Sequence, residues 1–238
     1  MDYRKTHHDL IELLLDRADS RSNKKTRLKI SIWNMTISST YWLKRFFDIS
    51  ISLLLLLCLS PVFIVTAVWI KLDSPGPLIF RQVRVGLNGR HFNFYKFRSM
   101  YVDAEERLAE IKSRNESADG VIFKMKNDPR ITGVGHFIRK FSIDELPQIF
   151  NVILGDMSLV GPRPPLPREV EQYTLDDRKR LNVVPGITGL WQVSGRSDIP
   201  FKQQVALDKE YIQSHSLWKD VVIMLKTIPA VLAGKGAY

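Results

Sequence analysis

Residues 49–70 read ISISLLLLLCLSPVFIVTAVWI, twenty-two positions without a charge between Asp48 and Lys71. At about 1.5 Å per residue, a helix of that length matches the roughly 30 Å hydrocarbon core of a bilayer. Two features set it apart from a simple span. Ser60-Pro61 lies at its middle, where a proline removes a helix hydrogen bond and crowds the preceding turn, so a sharp bend is expected. Basic residues flank both ends, Lys44 and Arg45 before it and Lys71, Arg81, Arg84 and Arg90 after it. Positive charge favours the cytoplasmic side. A segment that enters, breaks at Ser60-Pro61 and returns to the same face satisfies both flanks. The reading is a re-entrant helix-break-helix over 41–72 with both termini cytoplasmic. No cleavable signal peptide is expected, because the apolar run starts far from Met1.

Upstream, residues 1–45 hold ten Lys or Arg against five Asp or Glu. A short apolar cluster, Leu10, Ile11, Leu13, Leu14 and Leu15, precedes a polar stretch over 17–29, and His7 and His8 read as solvated surface. A basic, mobile arm over 1–40 is expected beside anionic lipid headgroups, where each nearby charge contributes about 1 kcal/mol. Downstream, Pro75-Gly76-Pro77 is a break. Two β-like runs follow, 78–85 and 91–97, around the turn Leu87-Asn88-Gly89-Arg90. Residues 101–113 and 144–154 have helical periods, and 207–232 contains helices with an apolar side that includes Trp218, Val221, Val222, Met224 and Leu225, suited to an interface plane. The fold class expected is α+β, mainly α-helical: a membrane re-entrant helix-break-helix, amphipathic interfacial helices, a small β-hairpin, and a cytoplasmic catalytic domain over 73–238.

Composition bounds the partners. The chain has 238 residues, a formal net charge of +10 and 45% hydrophobic residues, which excludes full disorder. Cys58 is the single cysteine, so no disulfide framework exists. The positive balance asks for an anionic partner: nucleic acid, acidic membrane or phosphorylated substrate.

The densest polar constellation is Ser142-Ile-Asp-Glu-Leu-Pro-Gln148, followed by Gly155-Asp-Met-Ser-Leu-Val-Gly-Pro-Arg-Pro164. Ser142 and Glu145 have capping-box spacing, which would make the acids structural. Pro147 argues against that, since the helix then begins only near Glu145 and leaves Asp144 free to project. A carboxylate at such a boundary suits phosphoryl chemistry, because Asp is a covalent phosphate acceptor and helix N-termini hold phosphate oxygens. Attack by one anion on another needs positive charge, and Lys96, Arg98, Arg139, Lys140 and Arg163 supply it. No spaced metal cage, Walker loop, dinucleotide fingerprint or nucleophile elbow occurs.

Seven segments together carry a resemblance: Lys44-Arg-Phe-Phe-Asp48, Ser60-Pro61, Phe80-Arg-Gln-Val-Arg-Val-Gly86, Tyr95-Lys-Phe-Arg-Ser-Met100, Asp144-Glu-Leu-Pro-Gln148, Gly155 to Pro164, and Val184-Pro-Gly-Ile-Thr-Gly-Leu-Trp-Gln-Val-Ser-Gly-Arg196. In order, over 41–238, they resemble the motifs of the bacterial sugar transferases, the monotopic polyprenyl-phosphate phosphoglycosyltransferases. The resemblance implies a Mg²⁺-dependent enzyme of the bacterial inner membrane. Such an enzyme moves a sugar 1-phosphate from a UDP-sugar to undecaprenyl phosphate at the cytoplasmic face and releases UMP. By the same resemblance Asp144 is the nucleophile, Glu145 handles metal or protons, both are the metal-associated pair, and Lys96, Arg139 and Arg163 contact phosphate. Thr188, Gln192 and Arg196 fall near the nucleotide. The Gly-Ala-Tyr238 end is similar to members that start exopolysaccharide or O-antigen repeats with glucose or galactose, so a hexose 1-phosphate is expected.

Two other readings compete. A non-catalytic, membrane-tethered basic protein binding anionic lipid or nucleic acid accounts for the charge, but not for Asp-Glu among clustered Arg and Lys, and no nucleic-acid motif accompanies it. No nucleic-acid partner is therefore expected. A glycosyltransferase that moves the sugar without its phosphate would release UDP instead.

Overall fold

The computed structural model describes residues 24–111, 115, 125 and 127–234, with side chains from residue 39 onward, Ser197 excepted. The apolar cluster at 10–15, His7, His8 and the four C-terminal residues lie outside them. The chain divides into two compact units, Met1–Phe47 and Asp48–Tyr238. In the first, Tyr41, Trp42, Leu43, Phe46 and Phe47 are exposed, with edge-to-face ring pairs Tyr41–Trp42 and Phe46–Phe47.

Helix α1, Lys24–Asp73, contains the uncharged run. Its part Ser39–Asp73 is long and apolar enough to cross a membrane. Leu53, Leu54, Leu57, Ile64, Val65 and Val68 are exposed along it, an apolar surface that water would penalise. The expected interruption at Ser60-Pro61 is not an end of helix: the helix runs on through Pro61. Pro61 has no N–H for the carbonyl of Leu57, one turn back. The Ser60 hydroxyl donates to that same carbonyl at 2.8 Å, so the acceptor the proline strands is satisfied by its neighbour.

The second unit is mainly helical with two small sheets. Strands β1, Ile79–Val85, and β2, His91–Phe97, pair antiparallel with Ile79 opposite Phe97 and Val85 opposite His91. The turn between them places Asn88 at φ 54°, a left-handed conformation that Asn tolerates. Alternation along β2 puts Phe92, Phe94 and Lys96 on one face. Phe92 and Phe94 are buried, and Lys96 extends past them, its Nζ 5.7 Å from the Phe94 ring centre.

The order continues with α2, Ala104–Ile111, α3, Gly133–Lys140, a 3₁₀ turn Ile143–Glu145, and α4, Gln148–Leu154. Next come β3, Ser158–Val160, α5, Pro167–Val170, β4, Gly186–Thr188, α6, Leu190–Ser194, α7, Phe201–Gln213, and α8, Leu217–Ala233. The hairpin matches its sequence reading within a residue. The parallel pair β3–β4 does not figure in that reading, because three residues are too few to display a period. Gly186 permits this pairing: a Cβ there would lie 2.1 Å from the Gly161 amide nitrogen.

One apolar core gathers Phe92, Phe94, Val152, Leu159, Tyr211 and Ile223, with Ile51 and Leu55 of α1 packed against it. A second joins Ile70, Phe97, Val134 and Ile138, with Phe63 against it. Residues from α1 thus enter both cores. Asn151, fully buried, fixes α4 to β2: its Nδ2 donates to the Asn93 carbonyl at 2.6 Å and its Oδ1 accepts the Tyr95 N–H at 3.1 Å.

Candidate active site

Asp144 and Glu145 occupy the 3₁₀ turn that precedes α4. Pro147 stands just before α4 without giving a side-chain cap, so the helix starts at Gln148, after both acids, rather than near Glu145 as expected. The capping box is not formed. Ser142 makes no side-chain cap, and its backbone is left-handed at φ 53°, ψ 23°. Glu145 instead reaches Lys96, whose Nζ donates to Oε1 at 2.6 Å. Lys96 also lies 3.5 Å from Asp144 Oδ2. Asp144 keeps 6% of its side chain exposed and Glu145 29%.

The two acids are neighbours under different fields. Burial drives Asp144 upward from the ordinary carboxylate value and Glu145 adds to it, while Lys96 and Arg139 oppose. Burial also works to raise Glu145, but Lys96, then Arg163 and Arg196, outweigh it and hold Glu145 down to about 2. Environments that separate two adjacent carboxyls mark acid and base or nucleophile assignments.

Arg139 comes from the last turn of α3 and Arg163 from the segment after β3. Neither guanidinium has a hydrogen-bond or ion-pair partner among the described residues. Both line the cavity that holds Lys96, Asp144 and Glu145, whose volume is about 1740 Å³. Its walls also include Ile51, Leu55 and Leu59 of α1 and Met224 and Leu225 of α8. Charged floor and apolar wall therefore share one space.

Thr188, Gln192 and Arg196 line the same cavity. Thr188 Oγ1 hydrogen-bonds Thr227 Oγ1 at 2.8 Å. Gln192 donates from Nε2 to the Ile187 carbonyl at 3.0 Å, and its Oε1 has no partner among the described residues. Arg196 donates to Ser142 Oγ. All eight expected polar residues are thus brought together. Ser60 and Pro61 do not line this cavity; Pro61 borders a separate apolar groove with Val65, Thr66, Trp69 and Ile138.

Two further residues belong here. Gln148 is buried at 2% exposure, its Nε2 has no partner among the described residues, and it lines the cavity one turn after Asp144. Arg84 is buried and donates to the Pro164 carbonyl at 3.1 Å and to Gln82 at 2.8 Å. Burial and the nearby Arg163 charge push its guanidinium down to about 9. With the Val85 N–H bonded to the Pro165 carbonyl at 2.9 Å, Arg84 ties β1 to the segment that carries Arg163. Phe80-Arg-Gln-Val-Arg-Val-Gly86 was the available signal, but a basic residue in a strand reads as solvent-facing.

For a cation, the donor set is the pair Asp144 and Glu145. Among the described residues no group of three or more His, Cys, Asp or Glu side chains is placed to cage a metal. Two carboxylates suit Mg²⁺, which is commonly bound by one or two of them together with waters and substrate phosphates.

The family described as "Bacterial sugar transferase" matches residues 39–234. The chain is 52% identical over 195 residues to a galactosyl transferase CpsE of Streptococcus agalactiae, covering 82% of this chain and 43% of that protein. It is 47% identical over 209 residues to an undecaprenyl-phosphate galactose phosphotransferase of Salmonella typhimurium, covering 86% and 44%. It is also 42% identical over 198 residues to the exopolysaccharide production protein ExoY of Sinorhizobium fredii, covering 82% and 88%. The chain thus spans less than half the length of the first two relatives and most of the third. Since the match runs from the apolar helix through the acidic turn to the end of α8, the chain belongs to the bacterial sugar transferase family.

Proposed function

We propose that this protein is a phosphoglycosyltransferase. It transfers a hexose 1-phosphate, glucose or galactose, from a UDP-sugar to undecaprenyl phosphate and releases UMP, as the first membrane step of exopolysaccharide or O-antigen assembly. One observation carries this reading: a buried aspartate beside Lys96, in a cavity where Arg139 and Arg163 hold guanidinium groups unpaired among the described residues. The names of the relatives support the substrate class.

In this reading an Asp144 carboxylate oxygen attacks the β-phosphorus of the donor. The bond to the bridging oxygen breaks, UMP leaves with its electron pair, and a sugar-phosphoryl aspartate remains. A phosphate oxygen of the lipid then attacks the same phosphorus and frees Asp144. Two displacements on one nucleophile give ping-pong kinetics. Lys96, Arg139 and Arg163 offset the charge that would otherwise repel donor and nucleophile. Mg²⁺ held by Asp144 and Glu145 would polarise phosphoryl oxygens.

The apolar wall from α1 gives the lipid tail a surface continuous with the charged floor. We place the catalytic unit on the cytoplasmic face of the inner membrane, with α1 re-entering it at Ser60-Pro61. Single cysteines at Tyr41 and Leu87, in a Cys58→Ser background, should both resist external labelling of intact cells; labelling of only one overturns the re-entrant topology. For the chemistry, UMP release from a panel of UDP-sugars with polyprenyl phosphate is decisive. UMP is expected from a UDP-hexose. Release of UDP, or no nucleotide release, refutes the reading, and so does more than trace activity in Asp144→Asn.

A further inference from the structure

Three non-glycine residues have positive φ among the described residues: Asn88, Ser142 and Arg196. Asn88 sits in a hairpin turn, where left-handed backbone is ordinary. The other two, 54 positions apart, are bonded to each other: an Arg196 Nη2 donates to Ser142 Oγ. Residues held in sparsely populated backbone states persist where surrounding structure over-determines them, and they cluster at functional sites.

What Ser142 connects is informative. Its N–H donates to the Arg139 carbonyl at 3.0 Å, and its carbonyl accepts the Glu145 N–H at 3.1 Å. It is therefore the joint between the helix end that presents Arg139 and the turn that presents Asp144 and Glu145. Its left-handed φ reverses the chain at that joint. Arg196, at the head of its own 3₁₀ turn Arg196–Asp198, also points Nη1 at the Ala230 carbonyl of α8 at 3.5 Å. One guanidinium thus bridges the acidic turn and the helix that walls the cavity.

We propose that Arg196 is a positioning residue for the reaction: through Ser142 it locks the acidic turn in the geometry that aims Asp144 beside Lys96 and Arg139. This differs from a contact to the nucleotide, and it rests on the phosphoglycosyltransferase reading above.

The two roles separate in a mutant cycle on the full-length membrane protein, comparing Ser142→Ala, Ser142→Gly, Arg196→Lys and Ser142→Ala/Arg196→Lys. If Arg196 acts through Ser142, kcat falls in Ser142→Ala and in Arg196→Lys by about tenfold to a hundredfold, as a small misplacement of reacting groups does. KM for the UDP-sugar stays within about twofold of wild type, as expected where no ground-state binding contact is lost. The double variant is no worse than the poorer single variant. Ser142→Gly recovers part of the loss of Ser142→Ala, because glycine takes the left-handed joint without strain. Wild-type kcat in Ser142→Ala, or a raised KM in Arg196→Lys with additive losses in the double variant, overturns the proposal in favour of a nucleotide contact. Melting temperatures of the same variants keep the two claims apart. Should wild type release no UMP, the functional reading fails, while additive melting shifts overturn the clasp and non-additive shifts uphold it.

Discussion

Asp144 and Glu145 are adjacent in the chain and burial raises both, yet the cations Lys96, Arg163 and Arg196 reverse its effect at Glu145 alone, and the residue scale is where activity acquires its pH dependence. On the proposed mechanism the attacking Asp144 carboxylate must be ionised, so activity should be lost as pH falls through the Asp144 value. Because burial raises that value, the acid limb of the rate profile should lie above the ordinary carboxylate range near about 4. Glu145, held at about 2, stays ionised throughout this limb. Lys96 is the main opposing charge, so Lys96→Met should move the limb to higher pH and cut kcat by about a hundredfold or more. Initial rates of UMP release between pH 4 and 9 check both; a limb that stays in place without Lys96 would contradict the assignment. Asp144→Asn brings a second consequence. A folded value above the unfolded one means the native state holds a proton the unfolded chain has released, so stability falls as pH rises between the two. Removing that buried charge should leave the neutral-pH melting temperature unchanged or higher while turnover disappears.

At the scale of elements, Asn151 shows how one side chain positions the site. It replaces a missing strand neighbour for β2, satisfying the Asn93 carbonyl and the Tyr95 N–H from α4. Asn151→Ala leaves two backbone groups unpaired, at about 1–3 kcal/mol each if they stay dry. It also loosens the register between Lys96 on β2 and Asp144 before α4. The expected result is a melting temperature several degrees lower together with reduced kcat; Asn151→Asp should retain the Tyr95 bond and lose only the other. This tie was not legible in the sequence, where Asn151 is one polar residue in an amphipathic helix. The hairpin was legible because alternating β-formers flank Asn88-Gly89, and the site was legible because Pro147 delays α4 until the acids have passed. The bond from Arg196 to Ser142 was not legible, since capping-box spacing cannot reveal that a guanidinium from residue 196 takes the hydroxyl. Pro61 lies inside α1, and Ser60 locally satisfies the acceptor that the proline strands.

Across the whole molecule, positive charge falls into two uses. Half of the net charge lies in residues 1–45, ahead of the uncharged run; the rest includes the cavity cations, with Arg180 buried elsewhere as a structural cation. Arg180 is 4% exposed and Asp208 1%; they are bonded directly, and the guanidinium also reaches Tyr173 Oη at 3.0 Å and lies 5.8 and 5.9 Å from the ring centres of Tyr173 and Phe201. Among the described residues Asp208 Oδ1 and Arg180 Nε have no partner, so the pair is incompletely satisfied. Burial pushes Asp208 up to about 6, with Arg180 opposing. The sign follows as for Asp144: this pair's contribution to stability declines as pH rises from about 4 through about 6. Breaking the pair with Asp208→Ala or Arg180→Ala should cost about 3–5 kcal/mol, because one buried charge is stranded. Arg180→Met with Asp208→Leu should recover most of that loss and flatten the melting-temperature profile between pH 4 and 6.5. Because the pair lies outside the cavity lining, UMP release by the double variant should remain near wild type at temperatures where it is folded. A double variant as unstable as either single one would mean that the pair specifies the packing of α7 rather than being tolerated by it.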